Sequence, residues 1–393
     1  MDRRGFLSGS MTAGALALGG CATAGTAAGP AGLAFYDRPP PLAPIRVHPD
    51  RLFDITVCLR PFRAAGPRLD VEQVAGKRVV HNYGHGGSGW SLSWGSAAVV
   101  VPKAMEGGQR DIAVIGCGAL GLAAALTAQR EGARVTIYAK ERMPYIRSAR
   151  ATGTWSPDSR VAKAADAPTD FPALWEQMTR TSFKAYRGLL GLPGEPVEWT
   201  DRYNLSDESP EAVRARHRRE DTMGFAAYGS RVADLTPRSI MMPPGSTPFP
   251  TRYVQRNSAL QFNIAALGHV MLNDFLLAGG KLETMEFDTP ADLARLPQPV
   301  VINCTGYGAR TLWKDESIIP VRGQIAWLIP QPEVKYGISY RDLTVLPRTD
   351  GIVIQGTGPT EAVGWNDANE TPDRAEAERE LAKVAELYSR MKG

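Results

Sequence analysis

The chain has 393 residues, 43% hydrophobic and 22% charged, with 40 Gly and 30 Pro. This is globular composition, which excludes collagen, coiled coil and disorder as the main plan, and the length suggests about two or three domains. With 45 basic and 41 acidic residues the net charge is +4, too balanced for a nucleic-acid partner, and no basic stripe with interleaved aromatics is present.

The N-terminus reads Met1-Asp2-Arg3-Arg4-Gly5-Phe6-Leu7, then a short apolar stretch over 11–18, then Gly19-Gly20-Cys21. A charged start, a short apolar middle and small residues at a cut site are the parts of a secretory signal. Arg3-Arg4 before Phe6-Leu7 resembles a twin-arginine signal, and Leu18-Gly19-Gly20-Cys21 resembles a bacterial lipobox. Residues 1–21 are therefore expected to direct export to the periplasm, in folded form, with lipid on Cys21 as the membrane attachment. No run of about 18 apolar residues exists, so the mature chain is not expected to span a membrane. Residues 22–50, rich in Ala, Gly and Pro, read as a flexible tether.

Cys58, Cys117 and Cys304 remain, an odd count that argues against a disulfide framework. His81 and His85 have the spacing of a helical zinc pair. But Gly84-His85-Gly86-Gly87-Ser88-Gly89 holds four glycines in six residues, so a helix is not expected there and no metal is expected.

Residues 111–115 (Asp-Ile-Ala-Val-Ile) form a short apolar β run. Gly116-Cys117-Gly118-Ala119-Leu120-Gly121 follows, then an Ala- and Leu-rich helical stretch over 122–131 and a second β run over 134–138. Strand, Gly-x-Gly-x-x-Gly, helix, strand is the dinucleotide-binding pattern. Its glycines allow a tight turn and let a pyrophosphate approach the helix N-terminus. Glu141, just past the second strand, can hold ribose hydroxyls, with Lys140 a competing contact. This position does not decide between NAD and FAD.

Further on, Phe171, Leu174, Trp175, Met178, Tyr186 and Leu189 largely follow helical spacing and read as core. Residues 197–205 and 325–328 are strand-like. The basic run Arg214-Ala215-Arg216-His217-Arg218-Arg219 is followed by Glu220-Asp221 and reads as a solvated face. Residues 237–250 are a Pro-rich loop placed over the site. Residues 260–277 read as a second long helix ending at Gly279-Gly280. A charged helix over about 372–391 closes the chain. No internal repeats are present.

Several segments together are similar to the D-amino-acid oxidase family, which is FAD-dependent. They are Leu59-Arg60-Pro61-Phe62-Arg63 with Pro67-Arg68-Leu69-Asp70, His81-Asn82-Tyr83-Gly84-His85-Gly86-Gly87-Ser88-Gly89 with Ser93-Trp94-Gly95, and Ala151-Thr152-Gly153-Thr154-Trp155-Ser156-Pro157. Val301-Ile302-Asn303-Cys304-Thr305-Gly306 and Val321-Arg322-Gly323-Gln324 match as well. The resemblance covers residues 51 to the C-terminus. It implies an α/β fold: a Rossmann-type FAD-binding domain with an interleaved substrate domain built on a mixed β-sheet. The expected FAD-binding domain is 51–165 with 255–315, the substrate domain 166–254 with 316–360, and the C-terminal helix lies in 361–393. In the family the Gly-x-Gly-x-x-Gly strand opens the chain and the Leu-Arg-Pro and His-Asn-Tyr-Gly-His-Gly-Gly segments close it. Here residues 51–103 precede that strand. This looks like a circular permutation, with residues 91–101 as the family's last helix and 102–110 as the joint. It requires the chain near Asp50 to lie close to the C-terminal helix.

The resemblance also implies hydride transfer from the Cα of a D-amino acid to flavin N5, hydrolysis of the imino acid to a 2-oxo acid and ammonia, and reoxidation by oxygen to give hydrogen peroxide. Arg60 matches the family's carboxylate-binding arginine, whose planar fork suits a carboxylate. Tyr340 matches an active-site tyrosine, and Gly87 the position whose carbonyl accepts from the substrate amine. The family's second active-site tyrosine falls at Thr344, where a shorter hydroxyl leaves room. Flavin contacts are expected from Gly116, Gly118, Ala119, Leu120, Gly121, Lys140, Glu141 and Ser148. The same holds for Thr152, Gly153, Thr154, Thr305, Gly306, Gly86, Gly89, Trp90 and Ser91, the last of these opening a helix aimed at the flavin's pyrimidine edge. A glycine- or sarcosine-type amine oxidase, a dehydrogenase passing electrons to a membrane quinone, and a non-catalytic flavin-binding lipoprotein are the alternatives.

Overall fold

The computed structural model describes residues 41–220, 223–358 and 360–392. The expected export signal and Cys21 lie outside the described residues. The helices are α1 Gly89–Ala104, α2 Ala119–Arg130, α3 Phe171–Arg187, α4 Pro210–Glu220, α5 Ile264–Leu277, α6 Ala309–Leu312 and α7 Arg374–Ser389. The first strands are β1 Leu52–Arg63, β2 Val71–Val74, β3 Lys77–His81, β4 Asp111–Ile115, β5 Arg134–Ala139, β6 Val197–Ser206 and β7 Ile240–Met241. Then come β8 Tyr253–Phe262, β9 Lys281–Thr284, β10 Val300–Asn303, β11 Ile318–Leu328, β12 Tyr336–Tyr340, β13 Leu343–Arg348 and β14 Gly351–Gly356.

Two sheets organise the fold. The six-stranded sheet runs β2-β3-β10-β4-β5-β9. It is parallel from β3 to β9, with β2 antiparallel at one edge. β10 and most of β4 are fully buried runs, as a parallel strand covered on both faces must be. Helices α1, α2 and α5 supply residues to the core on one face of this sheet. Gly95 is what lets α1 meet α3, because a Cβ there would stand 2.0 Å from the Met178 carbonyl oxygen.

The eight-stranded sheet is mixed and runs β1-β11-β14-β13-β12-β6-β8-β7. Its two faces separate by strand alternation. Tyr336, Ile338, Tyr340, Leu343, Val345, Ile352 and Ile354 face a core closed by Ala377, Leu381, Val384 and Leu387 of α7. Ile45 belongs to the same core, with Leu42, Ala43 and Val47 packed against it. The Tyr336 hydroxyl donates to the Ala43 carbonyl at 2.7 Å and meets the Tyr388 hydroxyl at 3.1 Å. The chain before Asp50 and the C-terminal helix are therefore neighbours, and residues 41–47 pack on the protein where a loose tether was expected.

Four other expectations change. Residues 260–262 belong to β8, because Val197 pairs with Phe262 along the β6–β8 ladder, and the helix starts only at Ile264. β1 and β8, placed with the FAD-binding domain on sequence, are strands of the eight-stranded sheet. α1 continues past Val101 through Pro102 to Ala104. Residues 237–250 line no part of the cavity described below.

Glu380 of α7 is only 5% exposed and sits against Gly356, where a Cβ would fall 2.0 Å from its Oε1. Its Oε2 has no partner. Burial pushes its carboxyl up to about 8, reinforced by Glu376 and opposed by Lys383. A carboxyl whose folded pKa is raised contributes stability at low pH that is lost as pH rises through the folded value. Glu380→Gln, which keeps an acceptor, is expected to leave the urea midpoint unchanged at about pH 5 and to raise it at about pH 9. Equal midpoint shifts at both pH values would remove this assignment.

Candidate active site

A cavity of 790 Å³ opens between the two sheets. One wall is the C-terminal edge of the parallel sheet, where β3, β10, β4 and β5 end in Gly86-Gly87, Cys304-Thr305-Gly306, Gly116-Cys117-Gly118 and Lys140-Glu141. Ligands bind at this edge in open α/β sheets. The other wall is the face of the eight-stranded sheet turned away from α7, carrying Cys58, Arg60, Thr344 and Gln355.

The nucleotide end is a cradle that side chains would fill. Gly116 has φ +102°, and a Cβ there would lie 2.5 Å from the Cys304 carbonyl oxygen; one on Gly118 would lie 2.7 Å from Ser148 Oγ. Ala119 and Leu120 open α2 at the cavity. The first N–H groups of a helix lack intrahelical partners and favour an anion. Here the Ala119 N–H reaches Ser148 Oγ at 3.3 Å. Gly121 is a correction. It does not line the cavity; a Cβ on it would fall 1.9 Å from the Gly116 carbonyl oxygen, so it holds α2 against the strand end. Lys140 is engaged by Glu286 at 2.6 Å, which leaves Glu141 as the carboxylate at the tip of β5.

The remaining expected flavin contacts converge on the same cavity: Gly86, Gly89, Trp90, Ser91, Ser148, Thr152, Gly153, Thr154, Thr305 and Gly306. They are tied to one another. Trp90 Nε1 donates to the Ser148 carbonyl at 2.8 Å, the Ser156 N–H to Ser91 Oγ at 2.9 Å, and Thr152 Oγ1 to Gln355 Oε1 at 2.6 Å. α1 starts at Gly89 and turns its N-terminus to the cavity. Size, glycine cradle, two helix N-termini and the Glu141 carboxylate at the tip of β5 fit FAD.

At the other end Arg60 lines the cavity, flanked by Gly323, where a Cβ would fall 2.5 Å from its guanidinium. Its Nη1 reaches the Val321 and Arg322 carbonyls at 3.5 and 3.3 Å. Burial lowers its pKa, and the nearby Cys58 opposes this. Gly87 and Thr344 line the cavity. Tyr340 does not, and is a correction. β12 and β13 form a hairpin in which Tyr340 pairs with Leu343 and Ser339 with Thr344. Cross-strand partners share a face, so Tyr340 lies with Leu343 on the α7 side, its hydroxyl 3.2 Å from Glu386 Oε2 and 3.0 Å from Arg390 Nη2.

Gln355 and Arg160 line the cavity and were not singled out from sequence, because nothing local marks them. Of the two histidines, His81 Nε2 pairs with Glu72 at 2.9 Å and His85 Nε2 with Ser96 at 2.9 Å. Burial alone holds the His85 pKa down to about 3, so its ring is neutral at physiological pH. Among the described residues no cluster of three His, Cys, Asp or Glu is placed to hold a metal.

Comparison with known proteins agrees with this geometry. The model of a family described as DAO, FAD dependent oxidoreductase, matches residues 111–392. A D-amino-acid oxidase of Rubrobacter xylanophilus is 28% identical over 288 residues, 71% of this chain and 78% of that protein. A D-amino acid oxidase of Dugesia ryukyuensis is 38% identical over 101 residues, 25% of this chain and 30% of that one. Among solved structures, glycine oxidase from Geobacillus kaustophilus superposes with a TM-score of 0.51 at 14% identity, covering 72% of this chain and 80% of that one. This last likeness is one of fold.

Replacing Glu141 with Gln is expected to weaken FAD about tenfold, the effect of losing a charge-assisted hydrogen bond of ~1.5 kcal/mol. Quenching of flavin fluorescence on titration into apoprotein measures it. Unchanged affinity would take Glu141 out of the ribose site.

Proposed function

The chain belongs to the FAD dependent oxidoreductase family, and from that premise we propose that it oxidatively deaminates a D-amino acid. In the full reaction amino acid, water and oxygen give a 2-oxo acid, ammonia and hydrogen peroxide. FAD supplies the two-electron acceptor for the substrate Cα–H bond.

The observation that carries this reading is Arg60, a cation in the cavity with no carboxylate partner among the described residues. Its fork binds the substrate carboxylate and fixes which face of Cα is presented. The Gly87 carbonyl accepts from the amine, and Gly87 has to be small because a Cβ there would meet Ser159 Oγ at 2.5 Å. Thr344 offers a hydroxyl on the same wall as Arg60 and leaves space beside it. Neutral His85 neither repels the ammonium nor competes for the carboxylate. Phe62, Phe225 and Trp365, with ring centroids 5.0–5.7 Å apart, form an aromatic cluster, and the Arg160 guanidinium lies over the Phe225 ring.

Export and lipid attachment belong to the same proposal. Arg3-Arg4 and the Leu18–Cys21 run support a periplasmic protein held to the membrane through Cys21. Circular permutation is proposed as the origin of the segment order. It is supported by Ile45 and Leu387 sharing one core and by the 51–103 segment lying outside the family match.

Anaerobic titration of the flavoprotein with paired D- and L-amino acids is expected to bleach oxidised-flavin absorbance with D-isomers only. Arg60→Ala is expected to raise the substrate dissociation constant about a hundredfold, the loss of a buried charge pair. Bleaching by L-isomers or only by N-substituted amines would overturn the D-amino-acid reading, and unchanged affinity in Arg60→Ala would remove the carboxylate assignment. Cys21→Ser is expected to move the protein from the membrane to the soluble periplasmic fraction. An unchanged distribution on cell fractionation would exclude the lipid anchor.

A further inference from the structure

The charges lining the cavity are mostly paired. Lys140 is held by Glu286, Arg147 and Arg150 by Glu370, and Arg322 by Glu376. Arg60 and Arg160 are different. Both line the cavity, and neither has a carboxylate partner among the described residues.

The two are brought to one place by the Gly86-Gly87 turn. The Gly86 N–H donates to the Pro61 carbonyl and the Gly87 N–H to the Ser159 carbonyl, each at 2.9 Å. Arg60 therefore immediately precedes one anchor of that turn, Pro61, and Arg160 immediately follows the other, Ser159. The approach depends on glycine, since a Cβ on Gly86 would fall 1.8 Å from the Arg160 carbonyl oxygen. Arg160 itself has φ +47°, a left-handed conformation that a side chain this long rarely adopts without a surrounding structure that imposes it.

The Arg160 fork is half used. Nε and Nη2 donate to one main-chain carbonyl, that of Glu361, at 3.4 and 3.2 Å, and the guanidinium lies 5.8 Å from the Phe225 ring centre. Nη1 has no partner among the described residues. Burial and then repulsion from Arg60 lower the Arg160 pKa, and Glu361 offsets this only in part. Two close, half-buried cations are costly unless anions arrive to meet them. The α-carboxylate of an amino acid neutralises one.

We infer that Arg160 is a second carboxylate anchor beside Arg60, and that the substrate is a dicarboxylic amino acid whose side-chain carboxylate binds it. This inference rests on the proposed amino-acid oxidation and names its substrate class. Arg160 determines specificity; it takes no proton and touches no reacting bond. A bidentate fork at each end of the substrate also fixes orientation more tightly than one fork can.

The test uses the FAD-loaded enzyme, its Arg160→Gln variant and the Arg160→Lys variant. Two readouts are needed: turnover of D-aspartate and D-glutamate against D-alanine, and equilibrium binding of succinate or malonate against acetate, followed by the flavin spectrum. The wild type is expected to prefer an acidic substrate. Arg160→Gln is expected to lower kcat/KM for acidic substrates and affinity for dicarboxylates about a hundredfold. D-alanine and acetate should change less than about threefold, and Lys should restore part of the loss. Turnover of D-alanine with no use of acidic substrates would overturn this inference and leave the D-amino-acid reading standing. Equal losses for both substrate classes, or loss of FAD from Arg160→Gln, would overturn it as well. If no D-amino acid turns over, the D-amino-acid reading fails. Dicarboxylate binding then still decides on Arg160: tight binding loosened by Gln upholds the second anchor, and binding no tighter than acetate removes it.

Discussion

Four buried residues, Val300–Asn303, hold the nucleotide sheet together. β10 pairs in parallel with β3 on one edge and with β4 on the other, each along all four residues. A strand this deep must have both edges satisfied, and it joins β3 to β4, two strands that both precede the Gly-x-Gly-x-x-Gly turn. Past its end the pairing continues into the loops. The Asn82 N–H donates to the Asn303 carbonyl at 2.8 Å, and the Cys304 N–H to the Ile115 carbonyl at 2.9 Å. These bonds align the exits of β3, β10 and β4, so the Gly86-Gly87 turn, Thr305 and Gly116 face one cavity.

The eight-stranded sheet supplies the opposite wall by alternation alone. Odd positions of β13 and even positions of β14 pack under α7; the intervening Thr344 and Gln355 reach the cavity. In β1 the alternate residues Cys58 and Arg60 line the cavity, and Thr56 on that face accepts from Trp327 Nε1 at 2.8 Å. One face is therefore a sealed apolar core; the other carries Thr344 and Gln355 at the cavity and, beyond them, a small apolar cluster of Ile325, Trp327, Leu346 and Val353, without any bulge in β13 or β14. The result is a site whose cofactor end is built from loops of one sheet and whose substrate end is built from strands of the other.

Electrostatics distinguishes the two ends. At the nucleotide end the protein offers helix N-termini, the carboxylates of Glu141 and Asp288, and cations already matched by Glu286 and Glu370. At the other end it offers Arg60 and Arg160, neither with a carboxylate partner among the described residues. The buried His85 ring, its pKa held down to about 3 by burial, adds no charge to this wall.

How much of this was legible beforehand depends on the range of the interaction. The strand at Asp111–Ile115, the glycine turn, the helix after it and the strand to Tyr138 are decided by neighbours within a few residues, and they stand as the sequence predicts. So do α3, β6 and α7, each a continuous element of ten residues or more. Residues 260–262 were ambiguous because a short apolar run suits a strand or a helix equally, and pairing with β6 decided it. Tyr340 and Thr344 are four apart, which on a continuous strand puts them on one face. A two-residue hairpin at Arg341-Asp342 reverses the parity and sends Tyr340 to α7. Arg160 carries no motif at all and became a site residue only when the Ser159 carbonyl met Gly87. The sequence by itself determined the cofactor's cradle, because a glycine turn on a strand end is local chemistry. Which side chains face the substrate was left to the tertiary structure, because strand register and the meeting of distant turns are set by partners far along the chain.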